Sequence, residues 1–100
     1  DGYVSMEANG QEGRVETTAI TAMAKMLEIN ADASAGRIVV EVLDESGRVL
    51  AGYGMHDCTP LKANAVRHAV TWGKRAQLPE SPFRLRFVLR NASLFSYTLR

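Results

Sequence analysis

The sequence predicts an all-β fold, a two-sheet antiparallel β-sandwich of jelly-roll-like form with about eight strands. Three observations predict it. From Phe83 to Arg90 the odd positions are all apolar and three of the four even ones are Arg, so one face meets a core and the other meets water. The run Ile38-Val39-Val40-Glu41-Val42-Leu43 is β-branched and nearly continuous, as a central strand packed on both faces would be. Turn chemistry recurs at short intervals: Asn9-Gly10 with Gly13, Ala35-Gly36, Ser46-Gly47, Gly52 with Gly54, Pro60, Gly73, and Pro79 with Pro82.

Taken in order, the strands are expected at Tyr3 to Ala8, Arg14 to Ile20, Met26 to Ala31, Ile38 to Leu43, Val49 to Tyr53, Ala65 to Trp72, Phe83 to Arg90 and Leu94 to Leu99. Asp44-Glu45-Ser46-Gly47 reads as the hairpin turn between the fourth and fifth. Ile20 to Leu27 holds good helix formers, but no capping box precedes it and its neighbours alternate, so it reads as a connection. Thr59 to Ala65 and Gly73 to Pro82 are the longest non-strand segments, the kind from which binding loops are drawn.

One hundred residues make a single module over 1–100. A chain this short buries roughly 60 to 65% of the surface it exposes unfolded, which leaves a thin core and little room for an internal reaction chamber. At 46% hydrophobic and 23% charged residues, the composition is that of a globule rather than a disordered tail. The formal net charge is +1 and the basic residues are spread among acids, so no concentrated footprint for nucleic acid is expected. No apolar run reaches ~18 residues, so no membrane span is expected either. The lone Cys58 forms no internal disulfide. The abrupt start at Asp1, inside what reads as a strand, suggests a module excised from a larger multidomain protein, any export signal lying upstream.

A catalytic reading needs a nucleophile, a base and a group to orient them. His56, Asp57 and Cys58 stand together after a glycine-rich turn, but neighbours on an extended chain point to opposite sides. A loop with one polar corner and a buried cysteine is the preferred account. His68 is in phase with Val66, Val70 and Trp72 and reads as a half-buried histidine rather than a metal ligand, because no second His or Cys stands at a ligand spacing. Calcium is left open as a cofactor, with Asp1, Glu7, Asp32, Asp44 and Asp57 as the scattered oxygen donors.

Sugar binding asks for an exposed aromatic face and planar polar groups that take hydroxyls in pairs. Tyr3, Tyr53, Trp72 and Tyr97 supply aromatics. One outward strand face supplies Glu28, Asn30 and Asp32, another Arg84, Arg86 and Arg90. By parity Trp72 belongs to the core, as does Tyr97, in phase with Phe95 and Leu99. The Arg and acid rows are most simply a solvated face with cross-strand ion pairs. Tyr53, bracketed by Gly52 and Gly54, is the aromatic best placed for exposure on a loop. The ligand-binding candidates are therefore Tyr53, Trp72, Asn30, Asp57, Arg84 and Arg86.

The stretches DGYVSMEA, LEINADASAGRIVVEVLDESGRVLAGY, DCTPL, VTW and FRLRFVLRNASLFSY, in this order, resemble the C-terminal β-sandwich accessory module of bacterial secreted glycoside hydrolases, a module often placed behind a five-bladed propeller. The match spans nearly the whole chain. It implies a non-catalytic module that binds or accompanies carbohydrate, secreted or held in the periplasm or at the cell surface. Its partners would be a polysaccharide or oligosaccharide and the catalytic domain of the same chain. Two features depart from that pattern: Lys62-Ala63-Asn64-Ala65 stands where an acid followed by Ser is usual, and no double glycine follows Trp72. The alternative is a structural module that packs on the catalytic domain without binding sugar, through an apolar patch including Met6, Met23, Met26 and Leu61.

Overall fold

In a computed structural model the chain is all-β, and its strands form one antiparallel sheet. The structure describes residues 2–21, 25–80 and 82–100, with side chains described from Glu12 onward. Among the described residues there are five strands: β1 (Gly2–Glu16), β2 (Leu27–Asp32), β3 (Arg37–Leu43), β4 (Asn64–Ala69) and β5 (Arg84–Leu99). None of the described residues is helical, so no helix is long and apolar enough to cross a membrane.

β5 is the spine. One edge carries β1 along its whole length; the other carries β3 against its first half and β2 against its second, with β4 outside β2. The strand turns a corner at Asn91, a non-glycine residue with φ of 47°. The inward set shifts there from Leu85, Phe87 and Leu89 to Ala92 and Leu94. These residues, with Ile29 and Ala31 from β2 and Ile38, Val40 and Val42 from β3, form one continuous buried cluster.

Five strands instead of eight follows from two fusions and one loss. Tyr3 to Ala8 and the first part of the expected Arg14 to Ile20 strand, as far as Glu16, are parts of one strand, because Asn9 and Gly10 continue it through a register shift between Ala8 and Glu12 instead of reversing it; Ile20 is left with an isolated bridge to Phe83. Phe83 to Arg90 and Leu94 to Leu99 are likewise the two halves of β5. Val49 to Tyr53 is not a strand: it meets β3 at the single bridge between Leu43 and Val49 and then turns, with Tyr53 N–H donating to the Leu50 carbonyl. Met23, in the connection after Ile20, lies outside the described residues.

Two local irregularities displace side chains from their expected faces. Between Leu94 and Ser96 β5 gains a residue relative to β2, and that residue, Phe95, is turned out to 48% exposure rather than into the core. Between Ala65 and His68 β4 gains one relative to β2, which leaves Val66 73% exposed while Val70 and Trp72 are buried.

Gly36 makes the corner possible. A β-carbon there would sit 1.8 Å from the carbonyl oxygen of Arg90 and 2.7 Å from Cβ of Asn91, so the β2–β3 turn can approach the bend of β5 only without a side chain. Gly36→Ala is therefore expected to destabilise the fold by about 3 kcal/mol or more, because backbone has to move on both sides. Urea denaturation of the variant beside the parent chain checks this, and an unchanged midpoint would show that the turn has room to give.

Candidate functional site

Among the described residues β3 has no neighbouring strand on the edge away from β5, and residues 49–72 satisfy that edge piece by piece. Ile38 exchanges two backbone hydrogen bonds with Leu61, of 3.0 and 2.9 Å. Val42 donates to the Tyr53 carbonyl and accepts from Leu50. Between them, Val40 uses side chains: its N–H donates to Sγ of Cys58 at 3.3 Å, and its carbonyl accepts from Nε1 of Trp72 at 2.8 Å. Cys58 and Trp72 are also joined by a backbone bridge. The Asp-Cys and the Trp are thus joints that hold two loops, 52–58 and 72–78, at one end of the sheet.

An open cleft of about 640 Å³ lies between those loops, lined by Gly52, His56, Asp57, Trp72, Gly73, Lys74 and Arg75. Trp72 N–H donates to the Arg75 carbonyl at 2.7 Å and Arg75 N–H returns a bond to Trp72 at 3.0 Å. Gly73, at φ 62°, is the first central residue of this tight turn, a position that favours glycine. On the other wall, Asp57 Oδ2 accepts from the backbone N–H of Gly54 at 3.0 Å and fixes the 54–57 turn. His56 and Asp57 are exposed there, as are Lys74 and Arg75.

Behind the cleft stand the two aromatics. Tyr53 is 8% exposed and Trp72 3%, so the expectation that Tyr53 lies exposed on its loop is corrected. The reason is that its hydroxyl donates to the Gln77 carbonyl at 2.7 Å, which allows a phenol to enter the core without an unmet polar atom. Its ring meets Trp72 edge-on at 5.2 Å, and the guanidinium of Arg75 lies 5.1 Å from its centroid. What faces solvent at this place is the cation and not the ring.

Of the six nominated residues, the fold brings together Tyr53, Asp57 and Trp72 and leaves three elsewhere. Asn30 is on the outer face of β2, where Glu28, Asn30 and Asp32 alternate with buried neighbours as expected. It lines a smaller groove with Glu28, Arg67, Ser96, Thr98 and Arg100. There Arg100 Nε donates to Glu28 at 2.6 Å, and that bond, with the nearby Arg67, holds the Glu28 carboxyl below its usual range. Arg86 and Arg84 lie on the other half of β5. Arg86 stands in register between Glu16 and Glu41 and donates to Glu41 at 2.7 Å; Arg84 lies 3.9 Å from Glu16. These are the cross-strand ion pairs that the alternation implied.

The remaining chemistry-bearing residues are held in local structure. Cys58 is buried, burial pushes its thiol pKa up, and its sulfur is engaged with Val40 and with the Thr59 carbonyl. Asp32 and Asp44 each accept hydrogen bonds from the serine two residues on, and Asp44 also from Arg48 N–H, so both carboxyls sit below their usual range. Among the described residues no group of three or more His, Cys, Asp and Glu gathers as metal ligands would. Arg75 is the site residue that sequence reasoning passed over. Its signal was the Trp-Gly-Lys-Arg order, a turn that returns a cation towards the aromatic before it.

Compared with known proteins, the chain matches no family model, no curated protein and no solved structure.

Two expectations follow. Trp72→Phe keeps a large ring but leaves the Val40 carbonyl buried without a donor, so it should cost about 1–3 kcal/mol in urea unfolding; a change below a few tenths would show that the joint is dispensable. His68 is half-buried and burial lowers its pKa from the ordinary 6.5. The folded chain then binds that proton less well than the unfolded one, so its contribution to stability is full above pH 6.5 and is lost as pH falls below it. An NMR titration should place the His68 midpoint below that of a free histidine, and a midpoint at or above it would contradict the burial argument.

Proposed function

We propose that this chain is a non-catalytic carbohydrate-binding module, attached to a secreted glycoside hydrolase, that takes a saccharide in the cleft between residues 52–57 and 72–75. The observation that carries the reading is the convergence there of Asp57, His56 and the guanidinium of Arg75 around the edge of Trp72, on a rim whose Gly73, with open space beside it, lets a ligand approach the backbone. A carboxylate and a guanidinium are planar groups that take adjacent hydroxyls in pairs, and an imidazole adds a single donor or acceptor. The likeness of the whole chain to the accessory modules supports the same reading. In it the module raises the local concentration of polymer for a catalytic domain of the same protein outside the cell. The buried, protonated Cys58 beside an exposed His56 favours binding over nucleophilic chemistry. The bent sheet is read with it as a two-sheet, jelly-roll-like sandwich, β3 with the first half of β5 facing β2, β4 and its second half across the core.

A second reading, a structural module that docks on the catalytic domain, is favoured by Val66, 73% exposed on the outer strand β4. Its patch differs from the one expected, because Leu61 is buried at 5% exposure and the side chains of Met6 and Met23 are not described; Met26, at 38%, remains.

Affinity electrophoresis and calorimetry on a panel of soluble neutral and acidic polysaccharides test the proposal. At least one polymer should retard the chain. His56→Ala should weaken that binding several-fold, each hydroxyl bond being worth roughly 0.5–1.5 kcal/mol, whereas Asn30→Ala on the other face should not. A panel in which nothing binds removes the sugar-binding reading and leaves docking through Val66.

A further inference from the structure

We infer that the cleft selects acidic saccharides, and that Arg75 is the specificity-determining residue, taking the carboxylate of a uronic acid unit. The inference rests on the saccharide reading above and names the class of sugar.

Arg75 is pre-set for an oxyanion in three ways. Its backbone is pinned by the two hydrogen bonds to Trp72 across the tight turn. Its guanidinium lies over the buried Tyr53 ring, 5.1 Å from the centroid, and that ring is itself fixed by the bond to Gln77 and the edge contact with Trp72. And Gly52, at φ 84°, leaves the space that the guanidinium fills, since a β-carbon there would come within 2.8 Å of Nη1. A long, flexible side chain normally loses rotamer freedom on binding, and here much of that loss has been met in the fold.

Charge points the same way. Lys74 and Arg75 outnumber the one carboxylate of the cleft, Asp57, which is partly engaged by Gly54 N–H. Among the described residues Arg75 makes no ion pair, unlike Arg14, Arg67, Arg84, Arg86 and Arg100. With its carbon 5.1 Å from the Tyr53 centroid, the guanidinium carries a fork of parallel N–H donors that matches the two oxygens of a planar carboxylate. The neighbouring Asp57 and His56 remain for the hydroxyls of the same sugar. A sulfate ester also presents two oxygens to such a fork, so the choice between the two anions is made by the test.

The test is calorimetry and affinity electrophoresis of the full chain against polygalacturonate, dextran sulfate and neutral xylan. Polygalacturonate should bind most tightly, and more weakly as salt rises. Arg75→Lys, which keeps the charge and loses the fork, and Arg75→Gln should each lower that affinity by about tenfold or more, the loss expected for a charge-assisted pair. Arg67→Gln, outside the cleft, should not. Thermal unfolding of each variant separates lost binding from lost folding, and the Lys variant serves where Gln perturbs the fold. Tighter binding of xylan keeps the saccharide reading and overturns this one. Equal or tighter binding of dextran sulfate overturns it too, by reducing the effect to bulk charge or assigning it to sulfate. An Arg75→Lys variant that binds polygalacturonate like the parent shows that the fork is not what recognises it.

Discussion

Both backbone groups of Val40 lie in the middle of a strand edge that no other strand among the described residues covers, and the structure depends on how they are satisfied. A buried N–H or C=O left without a partner costs about 1–3 kcal/mol, a large share of what a domain of this size has to spare. Here a thiol and an indole take the place of a strand, Cys58 on the N–H and Trp72 on the carbonyl. The segment between β3 and β4 is thereby free to be loop, while the edge is closed as completely as a ladder would close it. The same two residues fix the positions of the loops that follow and precede them, so the geometry of the cleft is a consequence of edge satisfaction. Stability and site are one arrangement of atoms.

The bend of β5 does comparable work at the opposite side of the strand. A sheet of five strands in this order, kept flat, would leave one apolar face in water. Turning the corner at Asn91 brings Leu94, Ile29 and Leu27 into the same cluster as Leu85, Phe87 and Ile38. Gly36, passing close over the Arg90 carbonyl, lets β2 and β3 follow β5 around the corner while both stay bonded to it. Bulges at Phe95 and near Val66 then absorb the mismatch in strand length. Their cost is two apolar side chains turned to solvent, and one of them, Val66, is the residue on which the docking alternative draws.

Strand character was legible in the residues, strand number was not. Phe83 to Arg90 alternates because one face of that segment is core and the other carries ion pairs, and both hold in the structure. Asn9-Gly10 and the Arg90-Asn91-Ala92 corner carry turn chemistry too, yet each passes through its strand. Whether such a residue reverses a chain or merely kinks it is settled by the hydrogen bonds its neighbours make, and for Ala8, Glu12, Arg90 and Ala92 those partners lie far off in sequence. Parity correctly buried Trp72, since a local rhythm sufficed. It failed for Phe95 and Val66, where an extra residue on one strand breaks the rhythm with no local mark. Tyr53 could not be placed from its flanking glycines, because what admits it to the core is a carbonyl at Gln77.

That last displacement changes what kind of site the cleft can be. Had Tyr53 stood exposed, its ring would be a platform for the apolar side of a sugar, and recognition would follow shape with little regard for charge. Turned inward, the ring instead lies 5.1 Å from a guanidinium carbon, and the side chain presented to solvent is cationic. The aromatic still contributes, through orientation of Arg75 and not through contact with a ligand. A stacking platform tolerates most pyranoses; a stacked fork discriminates by the presence of one carboxylate. On the proposed reading, the burial of one tyrosine hydroxyl moves the site from general sugar binding towards selection by charge, and a preference for acidic polymer would follow from the core rather than from the loops alone.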